Sequence, residues 1–459
     1  KGCFYRNHRL GCRVCHIVNC PSCSAMKKQI RLLVRLATSY IAANKKLFLS
    51  VVLASFAFIY FYPQISPILF RAKPTKIGLV GNYTLSTLPS FLQEKISFGL
   101  TRLNEDNFAT AGAAISWEAT DSGKVVYFEL NPDLYWQDGK KFTSADVNYN
   151  LRGVEIIRDS ETQIKFTLNE PFSPLVSLFS QPLFKNGLVG LGKTSVTSVK
   201  FAGRFLSELD LKNLETEKLE SYKFYPSDAI LITALKLGQI DEADGLRTPP
   251  PTDIVQQYNV ESKINPNLEA ILFFNTGKKP FDDKSVRQAL IYALPDEFSF
   301  GQLTDTPLPK NHWAVSSAAK KYPQNLTLAQ KTLGKMERIN ITVNRELETV
   351  AKEISQNWQK AGIETSIQTS DVIPVNFDVY LTYVELPSDP DQYFLWHSTQ
   401  TGNISQYKSP KVDKLLEEGR TTLDIATRKE IYASFQKAIT EDAPAAFLFY
   451  PNVYSIKKH

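Results

Sequence analysis

Cys12, Cys15, Cys20 and Cys23 form the run C-x2-C-x4-C-x2-C, the right number of thiolates for a compact tetrahedral zinc site. The four-residue connection between the two pairs is tight, and no core surrounds it. Zinc is therefore expected only as an accessory, and no required cofactor is read from the chain. Cys12–His16 also matches the haem-attachment pattern CxxCH, but that attachment is made on the outer side of a membrane, and the charge pattern described below places this segment inside. A further reading leaves the cysteines out of the protein: translation begins at Met26, whose MKKQIR looks like an ordinary leader.

Gly187-LVGL-Gly192-Lys193-Thr194 matches the phosphate-loop pattern GxxxxGK[ST] in full. Such a loop works only where a buried strand delivers it to a helix N-terminus, so that backbone N–H groups cradle phosphate. FSQPLFKN before it is a poor buried strand, and the alternating, β-branched SVTSVKF after it is a poor helix. The match is read as coincidence. There is no HExxH and no GxSxG, and beyond residue 16 the histidines are His312, His397 and His459. His397 reads as a packed or surface histidine, and the pairs Asp282–Asp283 and Asp389–Asp391 as turn and cap residues. No catalytic residue is expected.

At 459 residues, 43% of them hydrophobic, the chain can bury a substantial core in two or three domains. Its net charge of +6 divides unevenly: residues 1–73 hold 12 Lys/Arg and no Asp/Glu, leaving 41 Lys/Arg against 47 Asp/Glu in the rest. The larger part carries no basic stripe, which argues against a nucleic-acid partner. Leu47–Tyr62 has two serines among sixteen residues, and with Pro63–Phe70 it reaches 24, against the ~20 that span a lipid bilayer as helix. Lys27, Lys28, Arg31, Arg35, Lys45 and Lys46 precede it, so the positive-inside rule keeps the N-terminus cytoplasmic and exports everything after Arg71. The competing reading is a cleaved signal peptide; the one small-x-small pair, Ser55 and Ala57, lies inside the apolar run, which favours an uncleaved anchor. No cysteine follows Met26, so the exported part has no disulfide and rests on packing.

Beyond the anchor the patterns mix. Strand-like runs occur at 77–81, 125–130, 155–157 and 163–168. Helices are expected over Ser144–Leu151, from a polar cap, and over 228–237, 284–294, 347–361, 410–419 and 426–440. The class is α/β.

Five blocks then stand in a telling order: Ser116-WEATDSGKVVYFEL-Asn131 with Tyr135-WQDGKKFTSADVNYN-Leu151, Val189-GLGKTSVTSVKF, Ala234-LKLGQID-Glu242, Phe273-FNTGKKPFDDKSVRQALIYAL, and Asp389-PDQYFLWHSTQTGNISQYKSPKVDKLL-Glu417. Together they resemble the family 5 solute-binding proteins, the dipeptide-, oligopeptide- and nickel-binding group of ABC transporters. The resemblance covers residues of about 74–459, although Lys193-Thr194 replace the family's usual Pro-Tyr. It implies a two-lobed, periplasmic-binding-protein type II-like fold with an extra domain inserted in the first lobe. Residues 1–46 are then a basic cytoplasmic leader, 47–70 the transmembrane anchor and 71–76 a linker. Residues 77–92, 195–270 and 441–459 form the first lobe, 93–194 its insert, and 271–440 the second lobe. The implied function is capture of peptides or related small solutes for the permease of an ABC importer; a tethered sensor or assembly protein using the same cleft is the alternative.

The resemblance also implies a site. The lobes are expected to meet near Asn275. Aligned on Asp389-Pro390, the chain reads Tyr383-VELPS, so the position where peptide-binding members pair an Asp with the ligand's amino group holds Leu386. A leucine cannot balance an ammonium. Either Glu385 reaches the same point with its longer side chain, or the ligand carries no free amine there; a third possibility is that Glu385 is a solvated loop residue. Tyr383 keeps an aromatic surface for stacking, and Asn403 adds a polar contact.

Overall fold

The computed structural model describes residues 31–36, 38–40, 42–69 and 73–458, so the cluster Cys12, Cys15, Cys20 and Cys23 lies outside the described residues. The chain divides into two units, Lys1–Lys73 and Pro74–His459. In the first, a 25-residue helix runs from Lys45 to Leu69. Pro63 and Pro67 interrupt its hydrogen-bond ladder. The apolar run before them, sixteen residues at ~1.5 Å each, falls short of the ~30 Å hydrocarbon layer. Among the described residues no single helix is long and apolar enough to cross a membrane. Arg31–Tyr40 and Lys45–Tyr60 pass that test only as a pair, bent by 89° at the break between them.

In the second unit, β1 (Thr75–Val80) comes first. The hairpin of β2 (Thr101–Leu103) and β3 (Ala109–Ala111) follows, then a four-stranded antiparallel sheet of β4 (Ala114–Thr120), β5 (Val125–Leu130), β6 (Val154–Arg158) and β7 (Gln163–Leu168). Phe128, Trp136, Val147, Phe166 and Phe179 give that sheet a core of its own. Next come β8 (Thr194–Ala202), β9 (Phe205–Asn213), β10 (Leu219–Tyr225), β11 (Glu242–Leu246) and β12 (Asn259–Ile264). β13 (Leu268–Phe274), β14 (Gly301–Leu303), β15 (Ile339–Val343), β16 (Thr365–Thr369) and β17 (Val379–Glu385) belong to the second lobe. The last strand, β18 (Ala445–Lys457), serves both.

In the first lobe, β1 lies between β10 and β11, parallel to both. In the second, β15 lies between β16 and β17, again parallel to both. β18 joins the lobes: its end from Asn452 to Lys457 pairs with β12, and its start, Ala445–Phe449, pairs with β13. The crossings are therefore the turn between β12 and β13 and the stretch of β18 beside it, where the Asn265 N–H donates to the Pro451 carbonyl at 2.8 Å. This corrects the sequence expectation in two ways. The boundaries drawn at 270/271 and 440/441 fall at 264–268 and within β18. Asn275 sits past the far end of β13, its amide donating to the Phe377 carbonyl (3.0 Å) and accepting from the Gly277 N–H (3.2 Å). It pins a turn, not a hinge.

The second-lobe core forms two layers. Ala270, Leu272 and Phe274 face Val350, Ile354 and Trp358 of the helix Glu348–Lys360; Ile271 and Phe273 face Trp396, Tyr432 and Phe435. Most expected helices are present, but Ser144–Leu151 is not one. Only Ser144–Asp146 makes a turn of 3₁₀ helix, after which Val147 is extended. Tyr149 is pulled into the core instead, where its hydroxyl interacts with the Phe179 and Gln181 carbonyls, each at 3.0 Å. The false phosphate loop runs into β8, with no helix after it. Its Gly190 and Gly192 allow close approach to the Ile96 carbonyl, where a Cβ would collide.

Candidate functional site

In open α/β sheets, ligands bind outside the carboxyl ends of parallel strands. Both lobes present such ends, and they face each other. Tyr83 follows β1 and Arg247 follows β11; Glu346 follows β15, and Tyr383 and Glu385 end β17. Arg247 Nη1 and Glu346 Oε2 lie 2.5 Å apart, an ion pair made across the cleft. Burial, the largest single influence on Arg247, works against its charge, yet Glu346, Tyr383 and Tyr83 outweigh it and hold its pKa above the ordinary value. The Tyr383 phenol is pushed up to about 12, by burial first and then by Glu346, with Arg247 opposing. Burial also raises Tyr83, opposed by Arg247 and reinforced by Glu385. Tyr83 is set by its hydroxyl, which donates to the Val80 carbonyl at 2.9 Å, and by edge-on packing against Phe224. Two phenols, a guanidinium and two carboxylates thus share one interlobe surface, suited to stacking and to polar recognition of a small solute.

Further contacts join the part of the chain before β8 to the second lobe. The Trp313 backbone N–H donates to the Asp106 carbonyl (3.0 Å), and Phe108 stacks on the Trp313 ring. The Ser173 hydroxyl reaches the Arg420 carbonyl (2.9 Å), and Ser177 reaches Asp389 (3.3 Å). A cavity of about 500 Å³ lies along this seam, where Arg420 sits over the rings of Phe172 and Tyr393. A second cavity, about 550 Å³, lies within the second lobe beside Tyr322 and Phe447.

Of the residues singled out from sequence, the structure brings only Tyr383 and Glu385 to the interlobe surface. Glu385 is exposed, opposite Leu268 in the ladder. Leu386 is buried, its N–H donating to the Asn267 carbonyl. Asp389 is also buried, gripped by Arg428 at 2.6 and 3.1 Å. Asn403 is consumed in its own loop, donating to the Tyr407 carbonyl (2.7 Å) and accepting from the Tyr407 N–H and the Ser405 hydroxyl. Tyr83, Arg247 and Glu346 were missed. Tyr83 had a signal, since it follows the strand-like run at 77–81, whereas EADGL before Arg247 carries no strand pattern.

Among the described residues, no group of three or more His, Cys, Asp or Glu side chains is placed to hold a metal ion. Residues 221–406 match the profile of the bacterial extracellular solute-binding proteins, family 5 middle. Among curated relatives, Di/tripeptide-binding protein 1 of Pseudomonas aeruginosa is 23% identical, over 75% of this chain and 81% of its own. Among solved structures, NikZ of Campylobacter jejuni in complex with Ni(L-His) superposes with a TM-score of 0.68 at 20% identity, covering 84% of this chain and 94% of that one. The periplasmic binding protein DppA of Helicobacter pylori, in complex with peptide STSA, gives 0.65 at 18%, covering 84% and 94%. These relatives are binding proteins rather than enzymes, and the chain is similar to them in fold and, over residues 221–406, to the family 5 extracellular solute-binding proteins.

Proposed function

We propose that this chain is a membrane-anchored, extracytoplasmic binding protein that closes its lobes over a peptide or related small solute and delivers it to the permease of an ABC importer. The Arg247–Glu346 ion pair carries the reading, because it joins the parallel strand ends of the two lobes, the end of such sheets where ligands bind. The name of the Pseudomonas aeruginosa relative and the peptide held by the Helicobacter pylori protein favour peptides as the solute class. Anchoring would place the binder beside its transporter at high effective concentration. It rests on the charge asymmetry of residues 1–73 together with the apolar run Leu47–Tyr62. Zinc at Cys12, Cys15, Cys20 and Cys23 stays an accessory proposal, open to metal analysis of the purified chain.

The test is thermal-shift screening of the full-length chain in detergent against mixed tripeptides, nickel–histidine and oligosaccharides. A ligand at about a hundred times its Kd stabilises by about 2.7 kcal/mol. Peptides are expected to raise the melting temperature, and a response confined to another class would overturn the peptide reading. Protease added to intact spheroplasts should digest the large unit; protection would overturn the topology.

A further inference from the structure

β13 is buried along its whole length and apolar at every position but one. The exception is Glu269. Its side chain is fully buried, and neither carboxylate oxygen has a hydrogen-bond partner among the described residues. An acid is seldom kept in an interior on these terms, because an ionised carboxylate without a partner carries a large desolvation cost.

The position is informative. Glu269 comes two residues after Asn267, in the crossing turn, and lies opposite Val384 in the ladder. Opposed residues share a sheet face, so Leu386 is its diagonal neighbour on that face, about 7–8 Å away between Cα atoms. Ile271, Phe273 and Trp396 belong to the same layer. Two more buried atoms lack partners among the described residues: Trp396 Nε1, in that layer, and Oε1 of Gln392, the residue that caps the Tyr393–Trp396 helix. The layer also contains Trp313, whose ring stacks on Phe108, from the part of the chain before β8, and whose backbone N–H donates to the Asp106 carbonyl. The titratable groups acting on Glu269 are Asp305, from the segment after β14, and Tyr450, on β18. The Tyr450 hydroxyl is engaged with the Leu308 carbonyl at 2.6 Å and with Thr304. Neither group is a cation.

We propose that Glu269 receives the cationic group of the bound solute, namely the free amino terminus of a short peptide, when the lobes close. The inference rests on the peptide reading above. It supplies, from the neighbouring strand, the negative charge that Leu386 cannot. An ammonium brings N–H donors, and the two Glu269 carboxylate oxygens are acceptors left without a partner among the described residues.

The experiment is calorimetry on the full-length chain in detergent, with a mixed tripeptide library whose amino termini are free or acetylated. Wild type is expected to bind the free library at least about tenfold more tightly, since one buried charge pair is worth that much or more. Glu269→Gln should erase the difference, with an unchanged or higher melting temperature because a neutral amide is easier to bury than an acid. Glu269→Asp should keep part of it. A merely structural Glu269 would not move a second readout. Burial raises its pKa well above the usual carboxylate range, so binding a cation should be coupled to proton release in wild type, and that release should be lost in Glu269→Gln. Retention of the full preference by Glu269→Gln would overturn the inference alone. So would equal binding of both libraries by wild type. If wild type binds neither library, the peptide reading falls and this inference falls with it.

Discussion

Two ion pairs in this molecule use the same chemistry to opposite ends. Arg428 and Asp389 are 3% and 7% exposed in their side chains and meet twice, and Arg428 Nε also donates to the Gly419 carbonyl at 2.8 Å. Arg247 and Glu346 are 46% and 51% exposed and meet once, across the cleft. The first pair cannot separate without leaving a charge in the core. The second can, because water replaces the lost partner at little cost. The proposed closure of the lobes over a solute would need a contact of each kind, and burial decides which is which.

Breaking the buried pair should have the largest effect. Arg428→Met leaves Asp389 uncompensated and is expected to cost about 3–5 kcal/mol in urea unfolding. Arg428→Met with Asp389→Leu should recover much of that, since well-packed apolar side chains often match a buried pair. A single-mutant loss under about 1 kcal/mol, as for a surface pair, would erase the distinction.

Two buried groups of the second lobe sharpen the comparison through pH, and their signs differ. His312 lies close to Asp389 and Arg428, donating from Nε2 to the Ser388 carbonyl (3.0 Å) and accepting at Nδ1 from the Ala314 N–H (3.1 Å). Burial lowers its pKa to about 4 from 6.5. Between those values the unfolded chain holds a proton that the native chain does not, so stability should fall as pH falls through that window, by up to about 1.4 kcal/mol per unit. Glu269 is the reverse case. Its native pKa is raised, so above the ordinary carboxylate range the native chain holds the extra proton and stability should fall as pH rises. Unfolding across pH should show His312→Gln flattening the acid side and Glu269→Gln the alkaline side. Unchanged slopes in either variant would remove that group from the account.

The smallest effect is expected at the exposed pair. Arg247→Met should cost no more than about 1 kcal/mol of stability, and its effect should shrink as salt rises. Its mark should instead be faster release of the captured solute. Peptide dissociation followed by stopped flow would show this, and a stability loss as large as that of Arg428→Met would mean the pair holds the fold rather than the closed state.

Much of the architecture was legible because local patterns and long-range packing agree. The amphipathic helix read over 347–361 is the helix Glu348–Lys360, whose Val350, Ile354 and Trp358 are buried at the spacing the pattern requires. Where local and tertiary demands conflict, the local reading failed: Tyr149 trades a helix for buried contacts with two carbonyls. Sequence alone determined the α/β class, the family resemblance, the basic charge of residues 1–73 and the strand character after the phosphate-like loop, because each is written in the order and periodicity of neighbouring residues. The site is of another kind. Asn403 looked like a ligand contact and is framework, as is Asp389 beside the Asp-Pro turn, while Tyr83, Arg247 and Glu346 meet from segments far apart in the chain. Glu269 looked like one polar residue in an apolar strand, and only the packing of β13 under two layers leaves its carboxylate without a partner. Charge and hydrogen-bonding capacity are properties of a residue, but whether they are already satisfied depends on what the fold brings within about 3 Å.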